Sequence, residues 1–165
     1  MKVSRLLFPV FIVSLLLFGC ASTGGSKAAK PAPDFKVALS GGGEASLAQF
    51  RGKPLVLNFG ASWCPHCQHE LPGLNASYNK YKGDVGFLAI FMKSKKEDVD
   101  ALIEKDSLGF KVALDPDASV AALYGVRGIP VTFFIDEGGN IVDDYFGGIS
   151  ESGMSSKIES LIHEK

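Results

Sequence analysis

"ASWCPHCQHELP", residues Ala61–Pro72, sets two cysteines three positions apart, with Pro65 and His66 between them and His69 and Glu70 just behind. Taken alone, such a cluster fits a redox pair, a metal site or a structural staple. The staple is the weakest of the three, because a disulfide that closes so small a loop removes little entropy from the unfolded chain. The residues in front, "GKPLVLNFGA", carry an apolar stretch, Leu55–Phe59, with the character of a buried central strand. A helix predicted from about Pro65 to Tyr81 runs away on the other side, so Cys64 falls at a strand-to-helix turn. Pro65 then occupies the first helical position, where a missing N–H costs nothing. The free N–H groups and the dipole at that helix end favour an anion and stabilise a Cys64 thiolate. Cys67 follows one turn later on the same face, within reach of a bridge. The expected division of labour is an exposed Cys64 that attacks and a shielded Cys67 that resolves the mixed disulfide.

Outward from this stretch the chain alternates strand and helix. "VGFLAIFM" (Val85–Met92) reads as a second buried strand, and "KKEDVDALIEKD" as an amphipathic helix with Val99, Leu102 and Ile103 on one face. "FKVALD" is a short strand and "DASVAALYG" a short helix stopped by Gly125. "PVTFFID" and "IVDDYFGG" form a hairpin across residues 137–140, with Gly138-Gly139 at the turn. A last helix spans about Glu151–His163. The pattern predicts an α/β domain, a central mixed sheet flanked by helices.

The N-terminus bears on compartment. Lys2 and Arg5 precede "LLFPVFIVSLLLF" (Leu6–Phe18), an apolar run of 13 residues. That is short of the roughly 20 needed to span a bilayer core and fits the apolar region of a secretory signal. The run ends in "LFGC" (Leu17–Cys20), which resembles the lipobox of bacterial lipoproteins. The resemblance implies cleavage after Gly19 and a diacylated Cys20, although Phe18 is bulkier than the residue usual there. Removing residues 1–19 would leave 146 residues, enough for one domain, and would lower the formal charge from −1 to −3. No basic tract remains to suggest nucleic acid; the loose cluster of Lys93, Lys95 and Lys96 reads as a solvated helix start. Of three cysteines in the chain, lipidation of Cys20 leaves Cys64 and Cys67 as one pair. "ASTGGSKAAKPAP" (Ala21–Pro33) is too poor in apolar residues to fold and reads as a tether. The expected organisation is therefore a signal at 1–19, a lipid-anchored linker at 20–33 and one domain at 34–165.

"VLNFGASWCPHC" followed by "GIPVTFFID" resembles the thioredoxin superfamily, and within it the TlpA/ResA-like branch of membrane-tethered extracytoplasmic thiol-disulfide oxidoreductases. The similarity extends through "SLAQFRGKPLVLNF", "CQHELP" and "LDPDASVAALYGVRGIPVTFFID". It implies a thioredoxin-like fold with a helix-strand insert after the second core strand. Pro130 matches the superfamily's cis-proline, which faces the CxxC, and Ile129 would offer its backbone to a bound peptide. Trp63 before the pair, and Pro65 and His66 inside it, are expected to tune its redox behaviour. Three positions depart from the wider pattern. Asn58 stands six before Cys64, where cytoplasmic thioredoxins carry a buried aspartate, and an amide cannot take a proton. Glu70 matches an acidic residue of the ResA-like branch linked to tuning the thiols, and is the candidate catalytic base; a solvated surface glutamate is the alternative. Gly60 replaces a common tryptophan, which would open space beside the site.

The direction of electron flow is divided between two signals. A His66 cation would stabilise the Cys64 thiolate and make the pair a stronger oxidant, as in DsbA-like proteins with the same Pro-His dipeptide. The scaffold resembles a branch that mostly reduces its partners, and favours a reductant. His69 reads as a surface helix residue. A copper carrier is a rival class, but copper-assembly relatives use CxxxC and a distant histidine, and only His163 is distal here. A peroxidase is another, but peroxiredoxins place a threonine three before the reactive cysteine, where this chain has Ala61. A non-catalytic membrane domain would have no use for paired thiols. No organic cofactor and no metal are expected. The implied partners are exported proteins bearing thiols or disulfides, apocytochrome c being the substrate most associated with the branch, and a membrane thiol donor or acceptor that resets the pair.

Overall fold

A computed structural model describes residues 30–163, and the expected signal at 1–19 and the Cys20 anchor lie outside them. Eight strands form one mixed sheet: β1 (Lys30–Pro31), β2 (Lys36–Leu39), β3 (Glu44–Ser46), β4 (Leu55–Gly60), β5 (Gly86–Met92), β6 (Lys111–Asp115), β7 (Val131–Ile135) and β8 (Asn140–Phe146). Their order across the sheet is β1-β8-β7-β4-β5-β6-β2-β3. The three strands β4, β5 and β6 run parallel, β7 lies antiparallel beside β4, and β8 lies antiparallel beside β7. Among the described residues four helices complete the layers: α1 (Pro65–Tyr81), α2 (Lys96–Lys105), α3 (Ser119–Leu123) and α4 (Glu151–His163). Among the described residues no helix is long and apolar enough to cross a membrane.

The alternation of side chains along a strand sorts the core into two halves. Val56 of β4, Ala89 and Phe91 of β5 and Phe134 of β7 face one way, against Leu71 and Leu74 of α1, Val99 and Leu102 of α2 and Met154 and Ile158 of α4. Leu55, Leu57 and Phe59 face the other way with Leu88, Ile90, Val131 and Phe133, against Val120 and Ala121 of α3 and Leu47 of a 3-10 turn over Leu47–Phe50. With both faces covered, β4 is buried at every residue, as its apolar composition demands.

The hairpin forms as its glycines direct. Gly139 takes φ +79, a left-handed value that favours glycine, and its N–H donates to Asp136 O at 2.9 Å. One expectation needs correction. Among the described residues the folded part includes 30–33 as well as the domain expected from 34: Lys30 and Pro31 pair with Ile141 and Asn140, and Ala32 is buried. Pairing with β8 and the burial of Ala32 tie down the end of a segment whose composition reads as tether. The strands β2 and β3 carry no strong periodic signal, because only Val37 and Ala45 are buried on them.

Candidate active site

The end of β4 delivers the chain into a tight turn. The Cys64 N–H donates to Ala61 O at 3.2 Å, and α1 starts at Pro65 with Cys64 as its N-cap. The Cys64 Sγ accepts from the Cys67 N–H at 3.2 Å, so the sulfur sits against a helix-end donor, where negative charge is favoured. Cys64 and Cys67 are joined in a disulfide with Cα atoms 5.3 Å apart. The expected contrast in exposure is missing here. Cys64 is 5% exposed and Cys67 2%, because Ala61 and Ile129 pack around both. What separates the two sulfurs is their surroundings: Cys64 caps the helix, whereas Cys67 backs onto β4.

Gly60 explains how Cys67 fits. A Cβ at Gly60 would lie 3.3 Å from Cys67 Cβ and 3.6 Å from its Sγ. The missing side chain therefore leaves no vacant space beside the site; Cys67 itself occupies that volume. The next residue on the same face of β4 is Asn58. Its Nδ2 donates to Glu70 Oε1 at 2.9 Å and to Thr132 Oγ1 at 3.0 Å. Thr132 is directly opposite Asn58 in the β4–β7 ladder and two residues past Pro130.

Glu70 is not a solvated surface residue. It is 6% exposed, and its second oxygen accepts from the Ile149 N–H at 3.3 Å. Burial pushes its carboxyl up from an ordinary 4.5 to about 7, with the hydrogen bonds from Asn58 and Ile149 acting in the opposite direction. A carboxyl in that range can both give and take a proton near neutral pH. Glu70 floors a cleft of about 440 Å³ between α1 and the β8–α4 connection, lined also by His66, His69, Gly73 and residues 148–151. His66 and His69 are exposed on its rim.

The Ile129–Pro130 peptide is cis. Pro130 is buried beside the half-buried Ile129, and Pro130 O accepts from the Gly147 N–H at 2.8 Å. The Ile129 side chain packs on the disulfide. Trp63 is 61% exposed, its indole N–H donating to Lys93 O at 3.1 Å. The structure thus gathers Trp63, Cys64, Pro65, His66, Cys67, Glu70, Ile129 and Pro130 at one end of the sheet. Cys20 lies outside the described residues. Thr132 and the Ile149 N–H are partners that sequence reading missed. For Thr132 a signal existed, since strand alternation turns it to the same side as an expected site residue. A backbone N–H carries none. Among the described residues, no three His, Cys, Asp or Glu side chains are grouped to hold a metal ion.

Residues 28–143 match the AhpC/TSA family. A thiol-disulfide oxidoreductase ResA of Geobacillus thermodenitrificans is 34% identical over 131 residues, covering 79% of this chain and 75% of the relative. One of Bacillus thuringiensis subsp. konkukian is 32% identical over 175 residues, covering 98% of this chain and 99% of the relative. Among solved structures, a secreted Mycobacterium tuberculosis disulfide oxidoreductase homologous to E. coli DsbE is similar with a TM-score of 0.69 and 25% identity, over 77% of this chain and 96% of that one. With its redox pair capping a helix beside a cis-proline, the chain belongs to the AhpC/TSA family and is a thiol-disulfide oxidoreductase of the ResA type.

Proposed function

We propose that this chain reduces disulfides in exported proteins, cytochrome c maturation being the setting that its ResA-type scaffold suggests. In this reading Cys64 is the attacking thiolate, Cys67 the resolving thiol and Glu70 the group that takes the Cys67 proton. The Cys64 thiolate displaces one sulfur of the substrate disulfide, which leaves as a thiolate and takes up a proton. The Cys67 thiolate, its proton passed to Glu70, then attacks Cys64 Sγ and releases the second substrate thiol. A membrane thiol donor re-reduces the pair. Ile129 and Pro130 dock the extended substrate, and Pro65, His66 and Trp63 set the redox behaviour. The electrons travel in the thiols, with no organic cofactor. Cys20 carries the lipid that holds the domain at the extracytoplasmic face of a bacterial membrane.

The direction rests on the similarity to ResA proteins, and the roles of Cys67 and Glu70 on the buried Glu70 carboxyl, shifted to about 7 and tied through Asn58 to the strand on which Cys67 packs. The test is the equilibrium of the Cys64–Cys67 pair with glutathione. A potential near about −270 mV supports the reductant, and one near about −120 mV, the range of DsbA-like oxidants, overturns it.

A further inference from the structure

The reactivity of Cys64 depends on where the turn from residue 61 to 64 places its Cβ, and that turn is held by side chains outside the redox pair. Ser62 is buried, and both of its backbone polar groups are taken by side chains. On one side Gln68 Nε2 donates to Ser62 O at 2.5 Å, while the Gln68 backbone N–H donates to Cys64 O at 3.1 Å. The backbone bond is the ordinary first-turn bond of α1, and the side chain adds a hold on the turn two residues earlier. On the other side the Ser62 N–H donates to Ser94 Oγ at 2.9 Å, and the Ser94 hydroxyl donates to Met92 O at 3.0 Å.

The segment that supplies Ser94 is itself braced. Lys93 has φ +47, a left-handed value unusual for a residue with a Cβ. That conformation lets its carbonyl accept the Trp63 indole while its N–H donates to Asp115 O at 3.0 Å. The connection from β5 to α2 therefore joins β6 on one side and two consecutive active-site residues, Ser62 and Trp63, on the other.

We propose that Gln68 and Ser94 are positioning residues that clamp the peptide groups of Ser62 and so hold Cys64 Sγ against the end of α1. The inference rests on Cys64 being the attacking thiol. A clamp of this kind acts without touching sulfur. Loosening it lets the Cys64 Cβ wander from the Cys67 N–H, and the thiolate loses part of its stabilisation. Neither residue is needed to form the sheet or either half of the core, which separates this role from a purely structural one.

The experiment is brief alkylation of the reduced protein with iodoacetamide across pH, the labelled cysteine being identified by mass spectrometry. Gln68→Met and Ser94→Ala each remove one arm of the clamp. Each is expected to move the midpoint of the Cys64 profile upward and slow labelling at pH 7 by about threefold, and the double variant by about tenfold, with the limiting rate at high pH unchanged. Ser94→Thr retains the hydroxyl and restores the original profile. Profiles that superimpose on the parent with labelling still on Cys64 overturn the clamp, whatever happens to the melting temperature. Labelling that appears first on Cys67 overturns the role of Cys64 itself. If the double variant does not fold, the single variants and the Ser94→Thr rescue decide.

Discussion

The two faces of β4 share one backbone and have opposite characters. Toward α3 the strand presents Leu55, Leu57 and Phe59, and the aromatic rings of Phe59, Tyr124 and Phe133 lie within 6 Å of one another there. Toward α1 and α4 it presents Val56, then Asn58, then Gly60, so that face turns from apolar to polar to bare backbone as it nears the disulfide. The neighbour β7 follows the same gradient in reverse chain order, with Phe134, Thr132 and the cis-proline at 130. The difference shows how one sheet separates its tasks. The α3 face contributes burial along its whole length. The α1 face gives up apolar side chains near its end for a buried polar pair and for room to seat a sulfur.

Three substitutions test that separation. The largest loss falls on the apolar face: Phe59→Ala is expected to cost about 3–5 kcal/mol in urea unfolding, from lost burial and the cavity left behind. The Cys64 alkylation midpoint should stay where it was; a midpoint that moves would show that the two faces are not separate. Next comes Glu70→Gln. A carboxyl raised from 4.5 to about 7 keeps its proton in the folded chain after the unfolded chain has lost it. Its contribution favours the native state most below pH 4.5, and about 3 kcal/mol of it is lost as pH rises through about 7. The Gln variant should lack that decline, and urea unfolding at a series of pH values compares the two curves. Parallel curves would mean that Glu70 binds no extra proton on folding. The smallest effect belongs to Thr132→Val, which takes away one acceptor of the buried Asn58 amide and is expected to cost about 1–2 kcal/mol in the same assay. A neutral result would place the strength of the polar pair in the Asn58–Glu70 bond alone.

The helices α1 and α2, the hairpin and the end of β4 were legible because each has a strong local signal: Pro65 at a helix start, apolar residues on one helix face, paired glycines at a turn, a continuous apolar run. The strands β2 and β3 were not, since each buries a single side chain and its pairing is set by distant residues. At the site, Cys64 and Cys67 were plain from their spacing, and Pro130 from the resemblance of its motif to the thioredoxin superfamily. The place of Glu70 was open until the helix phase was known, because a glutamate on α1 could face water or β4 with the same spacing from Cys67. Gly60 misled for a related reason. An absent side chain suggests space, and only the packing of α1 on β4 reveals which atom has moved in. The clamp on Ser62 was illegible because Ser94 lies 32 positions away and meets it only through the parallel pairing of β4 and β5.

Both sulfurs lie below the level of the side chains around them. A reagent must therefore be slender where it meets the site. Cys64 is 5% exposed, while its neighbour Trp63 is 61% exposed with its indole tied to Lys93 O. Access to the recessed pair, as well as its potential, therefore bears on which sulfurs exchange with it.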